Sequence, residues 1–161
     1  MKRIYYLILI TVLFASCKSA STAVGNKESK RENRYTVTHL IEHATDNIGV
    51  RYKAGGTTKS GYDCSGLVFT TFESENIKLP RNSFEQAKVG RIIKFNDAQK
   101  GDLIFFINRG QRRINHVGMV VEAADGEIKF VHSSTHGGVM ISSTKEPYYQ
   151  RSFSQVNRIL E

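Results

Sequence analysis

The sequence predicts an α+β fold, with N-terminal helices packed on a roughly five-stranded antiparallel sheet. Three observations carry this. Two apolar patterns at helical spacing fill the first half of the chain, and five short apolar runs fill the second. No helical pattern separates those runs, so they connect as hairpins rather than as parallel crossovers.

The first helix rests on Val37, Leu40, Ile41, Ala44 and Ile48, which form one stripe, and on Gly49, which stops it. A Gly-rich loop, RYKAGGTTKSGY, follows. A second helix starts near Cys64 and carries Leu67, Val68, Phe69, Phe72 and Ile77, and Pro80 ends the connection after it. Strands are predicted over 102–107, 116–123, 127–133, 138–143 and 155–160. Ala124-Asp125-Gly126 fits a three-residue hairpin loop with Gly in the left-handed position. In that register His116 and His132 share one face of the sheet as diagonal neighbours, about 7–8 Å apart. A two-residue Asp-Gly loop would slip the pairing by one residue and put them on opposite faces.

The chain of 161 residues suits one domain after an N-terminal leader. Lys2 and Arg3 precede an apolar stretch, Ile4 to Phe14, too short for a membrane span of ~20 residues but suited to a signal peptide. Ala15 and Ser16 then lead into Cys17, an order that resembles a bacterial lipobox. Residues 1–16 are therefore expected to be a lipoprotein signal peptide. Cys17 is expected to carry the lipid, and residues 17–34 to tether it flexibly to a domain at 35–161. An ordinary cleaved signal is the alternative. The expected location is the cell envelope, anchored in the outer membrane and facing the periplasm. Loss of residues 1–16 lowers the formal charge from +8 to +6, since Lys2 and Arg3 go and no acid does. That excess suits an anionic polymer or membrane surface. No basic run is interleaved with aromatics, which argues against a nucleic-acid groove.

With Cys17 lipidated, Cys64 is the single thiol of an exported domain and needs a use. A Cys17–Cys64 disulfide or an inert buried Cys64 is the competing account. At a helix N-terminus the dipole favours the thiolate. A sheet histidine can take its proton, a second polar group can hold that imidazole, and the Cys64 N–H can face an oxyanion. His116 and His132 supply the histidine pair. A Cys-His-His zinc site from the same residues is not excluded. Asp63 beside the thiol should raise its pKa; it caps the helix, or binds a cation such as a peptide's amino end. HLIEH (39–43) matches an inverted zinc-peptidase motif. At ~100° per residue, however, His39 and His43 lie about 200° and 240° from Val37, opposite the apolar stripe, and so face away from any shielded cleft.

IGVRYKAGG…GYDCSGLV, LPRNSFEQ, GDLIFF and HVGMVVE resemble, in order and spacing, the motifs of the NlpC/P60 cysteine peptidases, over about residues 38–160. The resemblance implies a papain-like α+β fold, a peptidoglycan stem peptide as substrate, and cleavage between γ-D-Glu and meso-diaminopimelate or Lys. It implies Cys64 as nucleophile, His116 as base and His132 as third member. Tyr52 lines the site and aids the oxyanion, Asp63 and Ser65 contact an L-Ala amine, and Arg81 and Ser83 line the diaminopimelate side. No metal or organic cofactor is implied, and a monomer is expected. Arg51 stands where the family often has Pro and Ala54 where an aromatic is usual, which bears on substrate preference. An amidase or acyltransferase of the same fold, and a catalytically silent wall-peptide-binding lipoprotein, are the alternatives.

Overall fold

The computed structural model describes residues 20–108 and 110–161. The expected signal peptide and Cys17 lie outside the described residues. Two compact units divide the chain, residues 1–35 and Thr36–Glu161. In the first, residues 20–34 belong to helix α1 (Ala20–Thr45), where a flexible tether was expected. Lys, Glu, Arg and Ala favour helix, and no proline interrupts. The missing apolar period removes a packing face, not the helical propensity.

In the second unit α1 buries Leu40 and Ala44, the centre of the predicted stripe, while Ile48 is exposed beyond the helix end. Gly49 follows at φ 89, a left-handed position that suits glycine, and donates to the Val139 carbonyl. His39, its side chain 37 % exposed, pairs with Glu75 at 3.5 Å, and the half-buried His43 lies 3.4 Å from the Thr71 hydroxyl.

The Gly-rich loop holds a small hairpin, β1 (Thr57–Thr58) and β2 (Gly61–Tyr62). Helix α2 (Cys64–Glu73) follows directly, burying Leu67, Val68 and Phe72. A short turn of helix, α3 (Ser83–Gln86), comes next. The main sheet is antiparallel and has six strands rather than about five, in the order β3-β8-β4-β5-β6-β7. They are β3 (Arg91–Ile93), β4 (Leu103–Phe106), β5 (His116–Ala124), β6 (Glu127–Ser134), β7 (Gly138–Ser143) and β8 (Phe153–Arg158). Helix α4 (Pro147–Ser152) links the last two. One core, with Leu40, Leu67, Phe72, Phe105, Val117 and Val131, lies between the helices and the sheet. A second, with Ile104, Phe106, Val120, Phe130, Tyr149 and Val156, covers the other face.

The β5–β6 turn differs from the predicted one, and a bulge restores the expected outcome. Ala124 pairs with Glu127, so the loop is the two residues Asp125 and Gly126. Both have positive φ, 51 and 72, as a type I′ turn requires. That register alone would separate the histidines. The pairing then shifts between Val120 and Glu122, and Val120↔Phe130 and Met119↔Val131 follow the register expected of the longer loop. The extra residue at Val121 returns His116 and His132 to one face.

Candidate active site

Cys64 opens α2 immediately after its N-cap, Asp63. The Asp63 Oδ1 accepts from the Gly66 N–H at 2.6 Å, which fixes the first turn. Gly66 is required there. A Cβ would lie 2.0 Å from the Gly56 carbonyl oxygen and 3.0 Å from the Arg81 guanidinium. The thiol reaches across to the start of β5, its Sγ 4.0 Å from the Asn115 carbonyl oxygen. Burial pushes its pKa up, and the Asp63 charge adds to this; the backbone N–H groups of Val117, Ser65 and Cys64 oppose it. The net direction is upward, so desolvation outweighs the helix-terminus effect expected to favour thiolate. At rest the group is a thiol that needs a base.

His116 opens β5, next in sequence to Asn115, whose carbonyl the thiol approaches. Its Nε2 lies 3.0 Å from His132 Nδ1, and the rings meet edge-on with centroids 5.0 Å apart. Gly118 makes this contact possible: a Cβ there would come within 2.6 Å of the Phe130 ring and 3.2 Å of the His132 Cβ. His132 is fully buried and His116 is 8 % exposed. Burial pushes His116 down to about 4. Burial, then the neighbouring His116, pushes His132 down to about 3. Both imidazoles are therefore neutral near pH 7. The His132 contact occupies Nε2 of His116 and leaves its Nδ1 outside that pair.

Beyond His132 stand two hydroxyls not singled out from the sequence. Ser142 Oγ lies 3.1 Å and Tyr149 Oη 3.2 Å from His132 Nε2. Ser142 was within reach of sequence reasoning, since His132 pairs with Met140 and Ser142 is two residues further along the same face of β7. Tyr149 comes from a short helix with no periodic signal.

The remaining predicted residues divide. Tyr52 is half-buried and bridges to Tyr62. Its hydroxyl pKa is raised by burial first and then by the charges of Cys64 and Asp63. Arg81 meets Asp63 bidentately, Nη1 to Oδ1 at 2.9 Å and Nη2 to Oδ2 at 2.7 Å, and also reaches Ser65 Oγ at 3.0 Å. Asp63 Oδ2 further accepts from the Gly55 N–H at 2.8 Å, and Oδ1 from the Ser65 hydroxyl at 3.2 Å. Asp63, Ser65 and Arg81 thus form one cluster, and the carboxylate's roughly four acceptor sites are filled by the chain itself. Burial alone would raise Asp63, but Arg81, Gly66 and Ser65 hold it below the usual carboxylate range. Gln86, buried in α3, ties this side together by donating to the Ser65 and Pro80 carbonyls. Ser83 stands outside the cluster, buried in the first turn of α3. Arg51 is exposed and donates to the Ser60 carbonyl. Among the described residues no group of His, Cys, Asp and Glu has the arrangement of a metal site.

A half-buried thiol thus opens α2, and two hydrogen-bonded histidines stand on β5 and β6. Residues 49–158 match the NlpC/P60 family. The chain belongs to that family of cysteine peptidases. It is 33 % identical to the murein DD-endopeptidase MepS/murein LD-carboxypeptidase of Escherichia coli K12, over 95 % of this chain and 89 % of that one. It is 31 % identical to the gamma-D-glutamyl-L-lysine dipeptidyl-peptidase of Bacillus subtilis 168, over 79 % of this chain and only 42 % of the longer relative. Among solved structures, an NlpC/P60 family protein from Bacillus cereus ATCC 10987 superposes with a TM-score of 0.69 at 32 % identity. That match covers 78 % of this chain and 40 % of the other.

Proposed function

We propose that this NlpC/P60 protein is a peptidoglycan hydrolase that cleaves stem peptides between γ-D-Glu and meso-diaminopimelate, or Lys, through Cys64, His116 and His132. The observation that supports this is the 3.0 Å contact between His116 Nε2 and His132 Nδ1, which leaves His116 Nδ1 as the nitrogen to take the thiol proton. His116 takes the thiol proton as sulfur attacks the carbonyl carbon. The Cys64 N–H, with the Tyr52 hydroxyl, stabilises the oxyanion. The leaving amine departs with the proton held by His116, leaving a thioester. His116 then activates water, which releases the acid and restores the thiol. His132 accepts the His116 N–H throughout and stabilises the imidazolium.

A second reading places the scissile bond at a D,D cross-link, and two observations favour it. The relative matched over nearly its whole length carries that activity in its name. Asp63, expected to grip a free L-Ala amine, has its acceptor sites occupied by Arg81, Gly66, Gly55 and Ser65. Incubation with L-Ala-γ-D-Glu-meso-diaminopimelate-D-Ala and, separately, with a cross-linked dimer of it decides the bond by product mass. Release of L-Ala-γ-D-Glu supports the main reading. Conversion of dimer to monomers alone transfers it to the cross-link. The lipid anchor at Cys17 belongs to the same proposal, placing the domain at the outer membrane facing the wall. Loss of palmitate incorporation in Cys17→Ala tests it.

A further inference from the structure

His132 is a fully buried imidazole, and each of its ring nitrogens has a partner. Which nitrogen carries the proton follows from what His116 must do. Once His116 has taken the thiol proton, both its nitrogens bear hydrogen, and its Nε2–H points at His132 Nδ1. A neutral imidazole has one N–H, so His132 Nδ1 must then be bare and its proton must sit on Nε2. That N–H sits on a fully buried ring and needs an acceptor. Two hydroxyl oxygens stand there, Ser142 Oγ at 3.1 Å and Tyr149 Oη at 3.2 Å.

Neither hydroxyl is placed loosely. Ser142 is buried on β7, on the face that pairs with β6 beside His132. The Tyr149 ring is packed among Phe106 and Phe130, with centroids 5.2 and 5.0 Å away, and against His132 at 5.4 Å. Ser142 and Tyr149 line a cleft of about 390 Å³ with His116, Met140, Glu146 and Tyr148.

We propose that Ser142 and Tyr149 are a positioning pair for the histidine relay, their hydroxyl oxygens accepting the His132 Nε2–H while His116 carries the proton of Cys64. The inference rests on the Cys–His chemistry proposed above. The pair works through His132 and touches neither the substrate nor the sulfur. The titratable groups facing the relay are Cys64 and Asp63 at α2, His116 on β5, Tyr148 and Tyr149 on α4, Glu146 before it and His136 in the cleft.

The test uses the full chain with Ser142→Ala, Tyr149→Phe and the double variant. Iodoacetamide labelling of the Cys64 peptide is read by mass, which separates it from Cys17. Near pH 7 labelling depends on thiolate formed by transfer to His116; near pH 10.5 the thiol ionises directly. Loss of the acceptors lowers neutral-pH labelling of the double variant about 10–100-fold and leaves the alkaline rate unchanged. With stem peptide as substrate, kcat falls by a similar factor at unchanged KM, and each single variant falls less. Equal loss at both pH values shows a structural role and overturns the proposal, as does a folded double variant with wild-type labelling and kcat. If the double variant does not fold, Tyr149→Phe, which keeps the packed ring, decides alone by the same criteria. If the wild type cleaves no wall peptide, the peptidase reading fails, and the labelling comparison still judges the relay.

Discussion

Replacing Asp63 by Asn removes a charge and reverses the polarity of one oxygen. An Asn side chain can keep its carbonyl on the Gly66 N–H, where Asp63 Oδ1 accepts at 2.6 Å. Its amide nitrogen then takes the place of Oδ2, which faces the Gly55 N–H at 2.8 Å and Arg81 Nη2 at 2.7 Å. Three donors now oppose one another, and the guanidinium loses its counter-charge. Breaking a fully buried pair from one side costs about 3–5 kcal/mol. The Arg81 side chain is 36 % exposed, so solvent screens part of this, and about 2–3 kcal/mol remains. For a chain of this size that lowers Tm by about 4–12 °C at pH 7. The Asp63 pKa lies below the ordinary value when folded, so its contribution is present above the unfolded value and lost as pH falls through the folded one. The gap between wild type and Asp63→Asn therefore narrows below about pH 4. Thermal melts at pH 7 and pH 3 measure both. A Tm change under about 1 °C at pH 7, or a gap that persists undiminished at pH 3, refutes the assignment of Asp63 as the charge partner of Arg81.

Three further outcomes are expected. His116→Ala lowers kcat more than His132→Ala, because proton transfer is lost in one and orientation in the other; the reverse order assigns the base to His132. Gly118→Ala forces a Cβ to within 2.6 Å of Phe130 and costs about 1–3 kcal/mol, with loss of activity as His132 is displaced; a wild-type melt and turnover would show the site to be more pliable than drawn. Acid weakens the fold and the chemistry together. Between the unfolded histidine value of ~6.5 and the folded values of about 4 and about 3, the unfolded chain binds more protons, so stability falls as pH falls. Turnover is retained until His116 protonates near pH 4. Urea midpoints and rates across pH 3–8 check this, and His116→Ala should flatten part of the stability profile.

The place of Cys64 at a helix start and the shared face of the two histidines were legible because each sits in a strong local pattern. Cys64 follows an N-cap residue and precedes an apolar helix, and both histidines lie in alternating strands joined by Asp-Gly. The path from pattern to geometry was less direct. Met119-Val120-Val121 alternates equally well with or without a bulge, so the sequence does not reveal the extra residue that places His116 beside His132. Strand β3 was missed because it is three residues long and leaves Arg91 and Ile92 exposed, which blurs the apolar run. The helical form of residues 20–34 leaves no mark in the apolar pattern, because it follows from backbone propensity and not from a buried face. The Asp63–Arg81 pair joins residues 18 apart through a loop whose path no periodicity encodes. Tyr149 depends on how α4 folds back over the sheet, which is a matter of tertiary packing alone.

The central claim is that Cys64 performs the bond cleavage. The most direct measurement compares release of soluble fragments from purified peptidoglycan by the reduced wild type and by Cys64→Ala, each shown to be folded by its melt. The account predicts steady release by the wild type and none by the variant. Equal release by Cys64→Ala would contradict it, since Cys64 is the single thiol among the described residues.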